Sequence, residues 1–190
     1  MIQTLGQGTL KGMFLIATPS LLDPNFKKTV ICICEQTKEG AIGLVINRVH
    51  KLISAKDLFD ELHIKYKINA REIPIYIGGP VHIGEVFVLH GPPFGWKGCF
   101  MISNSIALSN TRDVLEAIAL DSGPTSYLIA IGCSGWGTNQ LENELMDNSW
   151  LTCPIYKSVI YEVDAPQRWN ETVRIMGIDP ARLSVMAGHA

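Results

Sequence analysis

The segment from Gly12 to Arg48, GMFLIATPSLLDPNFKKTVICICEQTKEGAIGLVINR, restricts the fold more than any other part of the chain. It holds three apolar runs, Met13–Ala17, Thr29–Cys34 and Gly40–Ile46, separated by a proline-bearing loop and by the polar turn Gln36–Gly40. The second and third runs, joined by so short a turn, read as an antiparallel hairpin. A chain that begins this way is committed to building on a sheet.

The rest of the sequence adds strands and helices without regular alternation. Ser54 followed by Asp57 starts a short amphipathic helix, Ser54–His63, with Leu58, Phe59 and Leu62 on one stripe. Ile73–Ile77 and Val86–His90 read as strands, with Gly78-Gly79-Pro80 breaking the chain between them. Gly91-Pro92-Pro93-Phe94-Gly95-Trp96 is a loop, because consecutive prolines donate nothing to a ladder. Cys99–Ile102 and Ser105–Leu108 are short strand candidates, and Asn110 caps a helix running to Leu120. Thr125–Ile131 is a strand apolar on both faces in its later part, hence central. A glycine-rich turn follows, then a helix from Asn139 to Met146 capped by Thr138. Trp150–Tyr156 and Val159–Val163 read as extended, and Pro166–Met176 as a terminal helix stopped by Gly177. Strands outnumber helices and the second and third runs pair as a hairpin, so the class is α+β, in one domain spanning residues 1–190.

Composition excludes several functions. With 47% hydrophobic and 18% charged residues the chain is a compact domain, and a net charge of -2 argues against a task of neutralising phosphates. Lys27-Lys28 and Lys65-x-Lys67 are the only local basic clusters, and no nucleic-acid recognition motif appears. The opening residues MIQTLGQGTLKG lack the basic-then-apolar pattern of a leader, and no apolar run approaches the ~20 residues of a membrane span. A cytoplasmic protein is expected. The five cysteines are an odd number at irregular spacing, which reads as buried reduced thiols rather than a disulfide framework. Cys32-x-Cys34 has no second ligand pair, so no metal and no cofactor are expected.

The ordered blocks also carry a resemblance. Gly12-x-Phe14-Leu15-Ile16-Ala17-x-Pro19, Asp23-Pro24-x-Phe26 and Gly40-Ala41-x-Gly43-Leu44-Val45-Ile46-Asn47-Arg48 open the series. Gly78-Gly79-Pro80-Val81, Phe87-Val88-Leu89-His90, Gly135-Trp136, Gln140-Leu141-Glu142-x-Glu144, Asn148-x-Trp150 and Gly188-His189-Ala190 continue it. Together they resemble the YqgE/AlgH family, bacterial proteins often labelled transcriptional regulators and without an established biochemical activity. The resemblance implies a mixed, mainly antiparallel sheet, bifurcated and partly barrel-like, surrounded by helices. The chain departs from the family pattern at Gln36, where a histidine is usual, at Val49 in place of a proline, and at Cys133-Ser134 in place of Tyr-Ala.

No catalytic motif names a reaction. The segment Gly132-Cys133-Ser134-Gly135-Trp136-Gly137 is neither G-x-G-x-x-G nor G-x-S-x-G. It reads either as a structural turn anchored by Trp136 or as a ligand site, with the amides after Gly137 facing an anion. Gln140 and Glu144 lie one helical turn apart; Glu142 reads as a solvated acid and Glu144 stays open for acid–base work. Arg48 is placed either to clamp a carboxylate or phosphate, or to pair with Glu35 on the preceding strand. His90 has no visible carboxylate or nucleophile partner. The expectation is that Pro19, Asn47, Arg48, Gly79, Pro80, His90, Trp136, Gln140 and Glu144 line one concavity for a small anionic ligand. The function so read is a ligand-binding or regulatory domain. The alternatives are a small enzyme acting on a carbonyl or phosphoryl substrate, and a regulator binding nucleic acid.

Overall fold

The computed structural model describes residues 9–186. Residues 1–8 of the opening segment and the block Gly188-His189-Ala190 lie outside the described residues. The hairpin forms as expected: β1 (Met13–Ala17), β2 (Val30–Thr37) and β3 (Gly40–Val45) are antiparallel neighbours, with Thr37 opposite Gly40 across the turn. Next come β4 (Val49–Ser54), β5 (Pro74–Ile77), β6 (Val81–His90), β7 (Phe100–Ser103), β8 (Ile106–Ser109), β9 (Tyr127–Gly137) and β10 (Trp150–Pro154). They join one sheet in the order β10-β1-β2-β3-β9-β6-β8-β7, and β5 bridges β4 to β9 off this path. Among the described residues only β5 and β9 pair in parallel.

The sheet forks at β9. Its first half pairs with β5 (Ile75 opposite Ile129) and with β6 (His90 opposite Tyr127), and its last residues pair with β3 (Gly40 opposite Gly137). The period-2 alternation of strands sorts side chains into separate cores. Phe14, Ile16, Cys32, Leu44, Leu128 and Ala130 face one apolar core, whereas Leu15, Ala17, Ile31 and Val45 face another with Trp136 and Trp150. Ile129 turns to a third, with Ile75 and Val88. Helices cover these faces. α1 (Ala55–Glu61) and α2 (Arg112–Ala119) cover the third core through Leu58, Phe59, Val114 and Ile118. α3 (Gln140–Met146) covers the second through Leu141. α4 (Lys157–Tyr161) and α5 (Arg168–Ile175) bury Val159, Ile160, Trp169 and Val173 in the first. α6 (Pro180–Met186) ends the described chain. No helix among the described residues is long and apolar enough to cross a membrane.

Local chemistry explains most boundaries. Ser54 caps α1 as expected: its backbone N–H donates to Asp57 Oδ2 at 2.9 Å. Gly177, at φ 76°, ends α5. Four readings need correction. The glycine segment 132–137 is not a turn but the second half of β9. Residues 159–163 are not extended, since Val159 and Ile160 sit on the buried side of α4, where burial outweighs their β preference. The cap of α2 is Thr111 rather than Asn110, and that of α3 is Asn139 rather than Thr138. The strand β4, whose three apolar residues Val49, Leu52 and Ile53 do not alternate with polar ones, has no period-2 pattern to announce it.

Candidate functional site

Three of the nine expected residues meet in one network. Glu144 on α3 receives the indole N–H of Trp136 at 2.9 Å and that of Trp150 at 2.8 Å, both on Oε2. Its other oxygen accepts from Gln140 Nε2 at 2.9 Å, and Gln140 Oε1 accepts the Gly137 amide at 3.0 Å. The Gly137 amide, at the end of the strand leading to α3, is therefore held by a side chain of that helix. Asn139, at φ 59°, is left-handed, and α3 has only seven residues. Phe26 stacks on Trp136 and meets Trp150 edge-on, with ring centroids 6.3 and 5.7 Å apart. This cluster ties α3 to β9 and β10.

Asn47 and Arg48 hold the same loop from its other end. Asn47 Oδ1 accepts the Val30 amide at 2.9 Å, and its Nδ2 donates to the Lys28 carbonyl at 2.8 Å. Arg48 Nη2 donates to the carbonyls of Pro24 at 2.9 Å and Lys27 at 3.1 Å. The expected alternative partner of Arg48, Glu35, is not among its contacts; the arginine braces a loop instead of an adjacent strand. Pro19 is half-buried, next to Thr18, whose hydroxyl donates to the Asn148 carbonyl at 2.9 Å. So the 18–29 loop lies between the Glu144 cluster and the end of β3.

The other three lie on the connection from β5 to β6 and at the end of β6; just before Gly79, the Ile77 amide donates to the Arg48 carbonyl at 2.8 Å and the Gly78 carbonyl accepts the Val45 amide at 2.8 Å. Gly79, at φ 152°, packs its backbone on β9, where an added Cβ would meet the Cys133 carbonyl at 2.3 Å; Pro80 is exposed. His90 is fully buried at the end of β6. Its Nδ1 lies 2.7 Å from the Gly91 carbonyl, which only accepts, so Nδ1 donates and the Ser109 hydroxyl donates to Nε2 at 3.0 Å. Loss of hydration holds the His90 pKa below its usual value, against the smaller opposing pull of the Gly91 carbonyl.

A cleft of about 490 Å³ opens elsewhere, between the start of β9, β5 and the α4–α5 corner. None of the nine residues lines it. Its floor carries Arg168, only 5% exposed, at the head of α5. Arg168 Nε donates to the Val163 carbonyl at 2.9 Å, Nη2 to the Tyr76 hydroxyl at 3.1 Å, and Nη1 to the Ile46 carbonyl. The guanidinium also lies 5.1 Å from the Tyr76 ring centroid. Three neutral oxygens hold it, and among the described residues no carboxylate makes an ion pair with it. Burial accordingly pulls its pKa down, against smaller support from Tyr76 and Asp164. Tyr161 lines the same cleft; burial raises its pKa, and its hydroxyl is the one buried side-chain polar atom among the described residues without a partner. Tyr127, on the opposite wall, is also raised, first by desolvation and then by Asp121.

Sequence reasoning missed this cleft. An arginine beside Trp169 in an amphipathic terminal helix carries no sign of burial. The walls come from residues 72–76, 125–129 and 157–168, which share no motif.

The AlgH-like family model DUF179 matches residues 14–181, nearly the whole described chain. The chain belongs to this family. A UPF0301 protein of Desulforapulum autotrophicum is similar, 49% identical over 90% of both chains. Another, from Methylococcus capsulatus, is 40% identical over 95% of this chain and 96% of its own. The solution structure of the AlgH protein from Pseudomonas aeruginosa is 38% identical and superposes with a TM-score of 0.79, with both chains fully covered. The forked, partly barrel-like α+β sheet implied by the motifs is thus the fold of the AlgH-like family. A Corynebacterium diphtheriae protein, DIP2367, shares that fold at 19% identity and a TM-score of 0.71, over 97% of this chain and 94% of its own. The AlgH-like match includes every wall of the Arg168 cleft, since its lining runs from Glu72 to Arg168.

Proposed function

We propose that this AlgH-like protein is a cytoplasmic binding domain for a small anionic ligand, and that the ligand enters the Arg168 cleft. What supports the reading is a buried guanidinium in a cleft of ligand size with no carboxylate at ion-pair distance among the described residues. A charge removed from water without a counter-ion costs several kcal/mol, and an incoming anion offsets part of that cost. Three of the five guanidinium N–H groups are used on Val163, Ile46 and Tyr76, which leaves two for a carboxylate or phosphate. By contrast, the polar groups of the Glu144 cluster satisfy one another, a scaffold rather than an open site.

Thermal unfolding against a panel of carboxylates and phosphates tests this. A ligand at 100 times its Kd adds about 2.7 kcal/mol, which for a chain of this length raises Tm by roughly 5–10 °C. Arg168→Lys keeps the charge but loses the planar fork, and we expect it to abolish that rise. A panel that leaves Tm unmoved, or a rise that persists in Arg168→Lys, would contradict the proposal. Whether the bound compound is then consumed separates a binding domain from an enzyme.

A further inference from the structure

We infer that the ligand of the Arg168 cleft is amphoteric: a short peptide or amino acid with a free carboxylate and a free ammonium group. The inference rests on the reading of this cleft as an anion site and adds the second charge. Four charged side chains line the cleft, two of each sign. Arg168 lies at its floor, and Lys157, Glu72 and Glu162 stand exposed at its lip. Among the described residues none of the four makes an ion pair. Charges of opposite sign that share a cleft and stay separate present a field with two poles.

That field selects against ligands of one sign. A polyanion such as a phosphate ester of a sugar would gain Arg168 and Lys157 but meet two carboxylates, so that the lip as a whole carries one negative charge against it. A simple cation would gain the carboxylates but meet Lys157 at the lip and, at the floor, a guanidinium with no ion-pair partner among the described residues. A molecule carrying both charges satisfies both poles, and burial sets its direction. The carboxylate goes inward, toward the buried guanidinium, which has two N–H groups left to donate. The ammonium stays outward by Glu72, just before β5, or Glu162, just after α4.

The space between the poles suits the body of such a molecule. The rings of Tyr76, Tyr127 and Tyr161 line it, and aromatic faces accept both an apolar side chain and an ammonium. The cleft exceeds the roughly 300 Å³ at which small-molecule pockets begin, leaving room for more than one residue.

Titration calorimetry with glycylphenylalanine, its N-acetyl form and its C-terminal amide tests this directly. We expect the free dipeptide to bind about tenfold or more tightly than either blocked form. Replacing both lip acids (Glu72→Gln with Glu162→Gln) should lower the free dipeptide to the level of the acetylated one and leave the acetylated one unchanged. Both acids are exposed and unpaired, so the variant keeps its fold, which an unchanged melting curve verifies. An acetylated dipeptide that binds as tightly as the free one overturns the ammonium pole while leaving the anion site intact. An amide that binds as tightly as the free dipeptide overturns the anion site as well. If none of the three binds at millimolar concentration, the peptide class is wrong, and the anion site is judged by the carboxylate and phosphate panel alone.

Discussion

Glu144, which the sequence leaves open for acid–base work, sits in a hydrogen-bonded cluster that ties a helix to two strands. One of its oxygens takes two indole N–H groups, from Trp136 and Trp150, both almost fully buried. Truncation leaves two buried donors without an acceptor, and each such loss costs about 1–3 kcal/mol. Glu144→Ala should therefore destabilise the fold by about 2–4 kcal/mol. Glu144→Gln, which keeps one carbonyl oxygen for the indoles, should cost about 1 kcal/mol. Urea unfolding of the two variants checks this, and equal losses would mean that the indole bonds carry little. The pairing of Gln140 with Glu144 was legible because residues one turn apart on a helix share a face. The arrival of Trp150 on the same oxygen was not, because it depends on how β10 crosses the end of β9.

Glycine separates the scales of residue and element. Gly79 lets the connection between β5 and β6 lie directly on β9; a Cβ there would meet three backbone atoms of Cys133 and Ser134 at 2.3–2.4 Å. Gly84, in the outward part of β6, has nothing within 4 Å of its would-be Cβ. Gly79→Ala should cost more than about 3 kcal/mol or prevent folding, since backbone cannot yield as a side chain does and its φ of 152° suits no other residue. Gly84→Ala should be neutral or stabilise by about 0.4–1 kcal/mol through the unfolded chain. Thermal melts of the pair separate the two roles. The same physics explains what the sequence concealed. Continuous apolar runs made β1 to β3 readable, because both faces of these strands had to be buried. The glycines at 132–137 read as a turn because turns use them most often. Here they serve neighbours: Gly135 and Gly137 lie opposite Ile42 and Gly40 of β3, and Gly132 lies against the Gly79 and Val81 carbonyls. The Arg168 cleft had no such signal, because three distant segments meet only once the whole sheet has formed.

At the scale of the molecule, His90 makes stability depend on pH. Its folded-state pKa is lowered by burial, so between that value and the ordinary value near 6.5 the unfolded chain binds more protons than the folded one. The contribution of neutral His90 is complete above the unfolded value and is lost as pH falls toward the folded one. We expect the unfolding free energy to decline as pH falls through and below the ordinary imidazole value of about 6.5, and His90→Gln to flatten that slope. Urea titrations of both proteins across the range test it; parallel slopes would assign the decline to other groups. The forked strand has a consequence in time rather than in space. β3 is finished at Val45 and β6 at His90, but β9, which pairs with both, does not begin until Tyr127. At roughly 5–20 residues per second the ribosome leaves the edges of β3 and β6 without this partner for several seconds. Each nascent chain therefore passes through an interval of unpaired apolar strand edges, when a neighbouring copy or a chaperone has its best opportunity to capture it.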